Sequence, residues 1–436
     1  MNYKKQTLVL NLNEINLTFV LNTAKKNKNK NILKFFRNKN LIKTNTKDKT
    51  QHKNLDPWVQ EVSINTGKPS SKHKVFNLGQ VLDKKIDHIW DKISKKYKVL
   101  VWGSMNSQLR DKKNIKLFFP DPWNFTSKIK PKSLKSIFLL PNYYAKNYTN
   151  VNIFRFIYYF FKFLKVLCLN KFFYLNFLKN FFLYSKIFLC NYSGLNYKLF
   201  VLFDILSLNI IRSYHKKLKP DISFIFLNSI AHFQHNNWDE KKNYKNFFDL
   251  LDILFEELIF LEKKYKFSFV YNGFTQKQIK TEYLLKPIDP NFFLKKLNIN
   301  FKKIEPNMTN GGIIFFYNKT QKKKYFNLMK NFKICSFRLF EIQNMSNHSF
   351  FYKIGIKSYT KNITPKNLDN SLSYYRKKNV KKINYKNIEL FNYLKFIKTT
   401  GSHVGDGVLL THNYKINKKI IRNHDIYKSL RKFLNV

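Results

Sequence analysis

Ten histidines punctuate this chain, and two of their settings suit metal or proton chemistry. His232 and His235 stand three residues apart in AHFQHNNW, just past an apolar run, and His403 stands in TGSH ahead of a C-terminal apolar run. Neutral imidazoles at strand ends suit a borderline cation such as zinc, which takes His nitrogen and carboxylate oxygen. An HxxH pair alone also serves to cap or tie a loop, so its meaning comes from what surrounds it. The segment LDPWVQEVSINTGKP offers a second kind of site. Asp56 can cap a short helix with Pro57 in its first position, and Gly67 can end it in the left-handed conformation before Pro69. Such a helix either turns its free N–H groups to an anion or packs without a ligand. The glycine patterns GxxxxGK[ST] and GxGxxG are absent from the sequence, which excludes those phosphate-cradling loops. Cys168, Cys190 and Cys335 have no CxxC spacing, so neither a disulfide framework nor a thiolate metal site is expected.

Positioning these residues requires a scaffold, and the apolar pattern supplies one. QTLVLNL at 6–12, KVLVW at 98–102, ISFIFL at 222–227, FSFVY at 267–271, FFYKIGIK at 350–357 and VLLT at 408–411 read as strands. Residues 244–264 carry apolar positions at i, i+3, i+4 and i+7, and a closing helix is expected from about 423 to 434. This β/α alternation, with polar residues where the strands end, predicts an α/β fold: a mostly parallel central sheet flanked by helices, with a helical insertion. Ligands in such sheets gather at the carboxyl ends of the strands. One domain over 1–436 is expected, interrupted by a basic low-complexity insertion at 24–53, read as loop or weak helix, and an aromatic-rich helical insertion at 151–215.

Charge comes next: 81 Lys+Arg against 26 Asp+Glu give +55 over 436 residues, yet 44% of residues are hydrophobic, which excludes a disordered tail. A nucleic-acid partner is not favoured, because only eight of the basic residues are Arg, the residue that forks and stacks on bases. The abundance of Lys, Asn, Ile, 45 Phe and 26 Tyr reads instead as the codon bias of an AT-rich genome. No signal peptide is visible at the start of the sequence, so a cytoplasmic location is expected. The run 153–190 is the membrane candidate, but Arg155, Lys162, Lys165, Lys171, Lys179 and Lys186 interrupt it. It therefore fits an amphipathic helix, resting on the protein's own core or making peripheral contact with a membrane, better than a transmembrane span.

Taken in order, several segments resemble the alkaline phosphatase superfamily, nearest to its type I phosphodiesterase/nucleotide pyrophosphatase branch. They are LVLNLNE, PWVQEVSINTGKPSSKH, Trp102-Gly103-Ser104, Phe119-Pro120-Asp121-Pro122-Trp123, AHFQHNNW and SHVGDGVLL with Asp425-Ile426. The resemblance implies a metal site whose first Asp falls on Asn13, beside Glu14, whose carboxylate could substitute. It implies that DxxGH becomes Asn228 to His232, that the strand-end Asp-His-Gly falls near Asn272-Gly273, and that the late metal histidine is His403. The position of the family's nucleophile holds Pro57, which cannot attack phosphorus.

A two-metal phosphoryl-transfer site needs several carboxylates, so this residue set implies one divalent metal at most, with zinc the expected ion. The expected metal residues are therefore His232, His403, Asn228, Glu14, Asn13 and Asn272, and the candidate bases are Glu14 and His235, with Asp56 and Glu61 behind them. The expected activity is a metal-dependent hydrolysis of a phosphate ester or phosphodiester, with a phosphorylated small molecule or phosphodiester as partner. The alternatives are a catalytically inactive relative in a binding role and a basic RNA-associated protein.

Overall fold

The computed structural model describes residues 5–47, 55–83, 86–110, 112–124, 128–169, 195–308, 310–334, 337–355, 357–358, 372–374 and 393–436. Its contacts gather into two compact units: Met1–Asn142 with Arg155–Gln278 and Gly401–Val436, and Tyr143–Phe154 with Ile279–Thr400.

The first unit is built on an eight-stranded sheet. Its strands are β1 (Thr7–Leu12), β2 (Asn40–Asn45), β3 (Val99–Ser104), β4 (Ile115–Pro120), β5 (Ile222–Leu227), β6 (Phe267–Tyr271), β7 (Asp406–His412) and β8 (Ile420–Arg422). The order across the sheet is β8-β2-β7-β6-β1-β5-β3-β4. β6, β1, β5, β3 and β4 run parallel, while β7 lies antiparallel to both β6 and β2. The fold is thus α/β with a mostly parallel central sheet.

Every residue of β1, β3 and β5 is buried, as expected for parallel strands covered on both faces. Alternation divides their side chains. Leu8, Leu10, Leu100, Trp102, Ile225 and Val270 point to one core, and Val9, Val99, Val101, Phe224 and Phe269 to the other. Helices α1 (Leu17–Asn27), α2 (Lys30–Phe36), α4 (Leu195–Leu218) and α6 (Tyr244–Glu262) supply apolar side chains to the first core. In α6, Phe247, Leu251, Leu254, Leu258 and Leu261 recur at helical spacing and are buried. The closing helix α7 (Asp425–Leu434) covers the other face through Ile426, Tyr427, Leu430, Phe433 and Leu434.

Two segments read as insertions belong to the scaffold. Residues 24–47 contain α2 and β2, not loop, and β2 pairs with β7 from Asn40↔Thr411 to Asn45↔Asp406. NLIKTN has little intrinsic strand preference, and the pairing partner supplies what local sequence lacks. In the second segment, α4 buries Tyr197, Val201, Ile205, Leu208 and Ile211 in the main core, while 170–194 lies outside the described residues, as do 48–53, Cys190 and Cys335. Among the described residues no helix is long and apolar enough to cross a membrane.

The second unit carries a four-stranded antiparallel sheet, ordered Phe340–Ser346, Ser349–Ile354, Gly311–Phe315, Lys303–Pro306, with helices Pro290–Lys296 and Lys319–Lys330. Its own core includes Phe293, Ile314, Met329, Phe350 and Tyr352.

Helix α3 (Pro57–Thr66) begins with Pro57 and ends at Gly67, whose φ of +67° is left-handed. Asp56 precedes it but makes no side-chain cap hydrogen bond, contrary to the capping role expected. A Cβ on Gly67 would lie 2.5 Å from Cδ1 of Tyr427 on α7. Gly67→Ala should therefore lower stability by about 1–2 kcal/mol from backbone strain alone, with more from the clash. Urea denaturation reads this as a lower midpoint at unchanged slope; an unaltered midpoint would mean the α3–α7 contact yields freely.

Candidate metal centre

β1 ends at Leu12, and Glu14 follows in the left-handed region at φ +55°. For a residue with a Cβ this costs about 1–2 kcal/mol, so surrounding contacts must hold it. They come from two glutamines. Gln234 donates from Nε2 to the Glu14 carbonyl at 2.9 Å and accepts from Asn16 N at 2.9 Å, clamping the loop from both sides. Gln276 Nε2 donates to Glu14 Oε2 and to Ala231 O. The Glu14 carboxylate is consequently buried and aimed beyond the carboxyl end of β1.

Two imidazoles meet it there. His235, on α5 (Ser229–Asn237), places Nε2 3.0 Å from Glu14 Oε2. His403, near the end of strand Leu394–Val404, places its Nε2 2.9 Å from the same oxygen and 3.3 Å from His235 Nε2. The approach of this strand depends on Gly401, where a Cβ would stand 2.3 Å from Gln276 Oε1 and 2.7 Å from Gln234 O. His403 Nδ1 donates to the Leu55 carbonyl, which fixes the ring with Nε2 inward, and Phe274 meets the ring edge-on at 5.1 Å.

Burial alone would raise the Glu14 pKa, but the His403 and His235 charges and hydrogen bonds outweigh it and hold the carboxyl well below its ordinary value. For His403, burial disfavours the cation, yet Glu14, Asp56 and the Leu55 carbonyl raise its pKa above the ordinary value. Glu14 and His403 therefore form an ion pair around a buried carboxylate in the metal-free protein, with His235 against the same oxygen.

The same three atoms also suit a metal. Tetrahedral coordination with bonds of roughly 2.1 Å separates ligand atoms by about 3.4 Å. The observed separations of 2.9, 3.0 and 3.3 Å need only a slight expansion. Glu14, His235 and His403 together satisfy the one-carboxylate, two-imidazole donor set, and all three ligand atoms lie within 4.8 Å of one another.

The other expected site residues form a network beside this cluster. Asn13 Nδ2 donates to Glu14 Oε1 at 3.1 Å and to Asn228 Oδ1 at 2.7 Å, and Asn228 Nδ2 approaches His232 Nε2 at 3.3 Å. His232, expected as a ligand, instead stacks on Phe200 at 3.6 Å; desolvation, with the His235 charge, pulls its pKa down to about 3. His235, expected as a base, takes the place beside His403. Asn272 spends its amide on backbone, donating to Ile15 O at 2.7 Å and accepting from Val408 N at 2.8 Å. Pro57 follows Leu55 and Asp56 beside His403 and offers no nucleophile.

Glu61, a further candidate base, is buried on α3 between Asn11 and Asn65. Burial pushes its pKa up to about 8, so it is a neutral carboxyl at neutral pH, away from the cluster. Ser63 and His73 form a pair at 3.0 Å that sequence reading passes over. His73 Nδ1 accepts from Val75 N, so in the neutral ring Nε2 carries the proton and donates to Ser63, the wrong tautomer for a base.

No family model matches this chain, and no curated protein matches it. Among solved structures it is similar to murine ectonucleotide pyrophosphatase/phosphodiesterase 5, at 10% identity and a TM-score of 0.42, over 99% of this chain and 95% of that one. It is also similar to phosphonoacetate hydrolase from Sinorhizobium meliloti 1021 in complex with phosphonoformate, at 8% identity and a TM-score of 0.40, over 99% and 96%. A magnesium-bound mutant of TAB5 alkaline phosphatase matches at 11% identity and a TM-score of 0.38, over 99% and 98%. These likenesses concern the fold, and no residue role is transferred through them.

The ion cluster carries a pH signature. His403 is raised, so its contribution is full below the ordinary histidine pKa of 6.5 and is lost as pH rises through the folded value. Glu14 is lowered, so its contribution is full above the ordinary carboxyl value of 4.5 and is lost as pH falls through the folded one. Metal-free protein should thus exceed a His403→Gln variant in stability most between those two values, with the difference shrinking toward alkaline pH. Thermal unfolding across pH reads it, and a pH-independent difference would sink the ion-cluster account.

Proposed function

We propose that this protein is a metal-dependent hydrolase of a phosphate ester or phosphodiester, using a single divalent metal, zinc by preference, held by Glu14, His235 and His403. The observation that carries this reading is the convergence of one buried carboxylate and two imidazoles at the carboxyl end of a mostly parallel sheet. Ligands gather in that place in open α/β sheets. The ordered sequence segments that resemble the alkaline phosphatase superfamily support the same direction.

A divalent metal bound there supplies Lewis acidity toward a phosphoryl oxygen and activation of water near neutral pH. The chain's own residues set the rest. Leu55 holds His403 in the tautomer that leaves Nε2 free to ligate, and Asn13 steadies the second oxygen of Glu14. With Pro57 where the resemblance implies a nucleophile, the chain offers no covalent phosphoryl acceptor there, which favours direct attack by water over a phosphoenzyme. Asn13 and Asn228 place neutral amides where carboxylates would repel a phosphate anion.

A second reading, an inactive relative that binds a phosphorylated ligand, is favoured by the amides at Asn13, Asn228 and Asn272 and by Pro57. Elemental analysis and hydrolysis of bis(p-nitrophenyl) phosphate separate the two. The first reading expects about one zinc per chain in wild type, lost in His235→Ala/His403→Ala and retained in His232→Ala. It also expects affinity that rises with pH, as His403 gives up its proton. No bound metal and no hydrolysis in wild type would leave the binding reading.

A further inference from the structure

Helix Ile153–Leu169 carries two apolar faces. Phe163 and Leu167 are buried in the main core, with Val166 packed against it. At 100° per residue, Phe154, Ile157, Tyr158 and Phe161 fall on the opposite side, spaced i, i+3, i+4 and i+7. These four are 81%, 42%, 55% and 63% exposed. A helix already satisfied by its inner face has no folding reason to keep a second aromatic stripe in water.

The charge along this stretch of sequence says what the stripe fits. From residue 122 to residue 203 the sequence contains no Asp or Glu and twelve Lys or Arg. On the helix itself Arg155 and Lys162 flank the stripe, Lys165 continues it by one turn, and Lys162 Nζ lies 4.2 Å from the Tyr158 ring centroid. Aromatic residues with flanking basic side chains are the composition of a helix lying in a bilayer interface, where rings enter the acyl boundary and cations meet anionic headgroups. A protein partner of ordinary surface composition would leave this cation excess unmatched, and nucleic acid would leave the stripe in water.

We infer that the outward face of helix Ile153–Leu169, through Phe154, Ile157, Tyr158 and Phe161, is a docking surface for an anionic lipid bilayer. The protein is then a peripheral membrane protein, a conclusion independent of the metal centre. Because the stripe is exposed, its substitution leaves the core in place.

Co-sedimentation of the full chain with phosphatidylcholine vesicles, with and without phosphatidylglycerol, tests this. Wild type should bind the anionic vesicles and not the neutral ones. Phe154→Ser/Ile157→Ser/Phe161→Ser should weaken that binding by about tenfold or more at an unchanged denaturation midpoint. Arg155→Gln/Lys162→Gln/Lys165→Gln should weaken it and flatten its salt dependence. The inference is overturned if wild type ignores anionic vesicles, or if the apolar variant binds them and single-stranded RNA as wild type does, leaving charge alone. It is equally overturned if the stripe variant dissociates a dimer while vesicle binding is absent, which would assign the face to a second copy.

Discussion

A carboxylate without water must find positive charge, and Glu14 is such a carboxylate. Its side chain is buried in a backbone conformation that most residues avoid, and Coulomb attraction to His235 and His403 offsets the desolvation. The three groups come from positions 14, 235 and 403, so the requirement binds together the loop after β1, helix α5 and the strand ahead of β7. Gln234, Gln276 and the bare backbone of Gly401 make that convergence sterically feasible. The same interaction serves two states: a protonated His403 stabilises the metal-free protein, and a neutral one presents its nitrogen lone pair to a metal. Protons and metal therefore compete for one set of atoms.

Around that cluster the polar ends of the sheet have been neutralised. Asn13, Asn228 and Asn272 occupy positions where the resemblance implies metal ligands; Asn13 donates to Asn228, and Asn272 donates to and accepts from backbone, all without charge. Burial keeps Glu61 protonated even though Asn11 and Asn65 donate to its carboxyl. Within reach of both imidazole nitrogens stands one carboxylate, that of Glu14, while Asp56 acts on His403 through its charge.

The positive charge works on a larger scale than this cluster. A net +55 is carried mostly by Lys, whose long stems cover apolar surface while their ammonium groups stay in water. Where Arg155, Lys162 and Lys165 share a helix with an exposed aromatic stripe, charge and apolar surface coincide. The helix Ile153–Leu169 is such a place, anchored inward by Phe163 and Leu167.

Much of the scaffold was legible in the chain because burial on both faces writes itself as apolar runs: β1, β3, β5, β6 and α6 carry that pattern without ambiguity. Glycine at 67, ending α3, was legible for a steric reason equally local. β2 was not, since its pairing depends on β7 more than 360 residues away, and NLIKTN carries no signal of its own. The amino-acid sequence by itself placed His232, His235 and His403 next to strand ends. Only the tertiary structure decided which histidine faces Glu14. His232 and His235 are alike in sequence, but α5 turns them in different directions, one onto Phe200 and the other onto the buried carboxylate. A three-residue spacing fixes the angle between two side chains and not the rotation of the helix that carries them, which packing against the core alone sets.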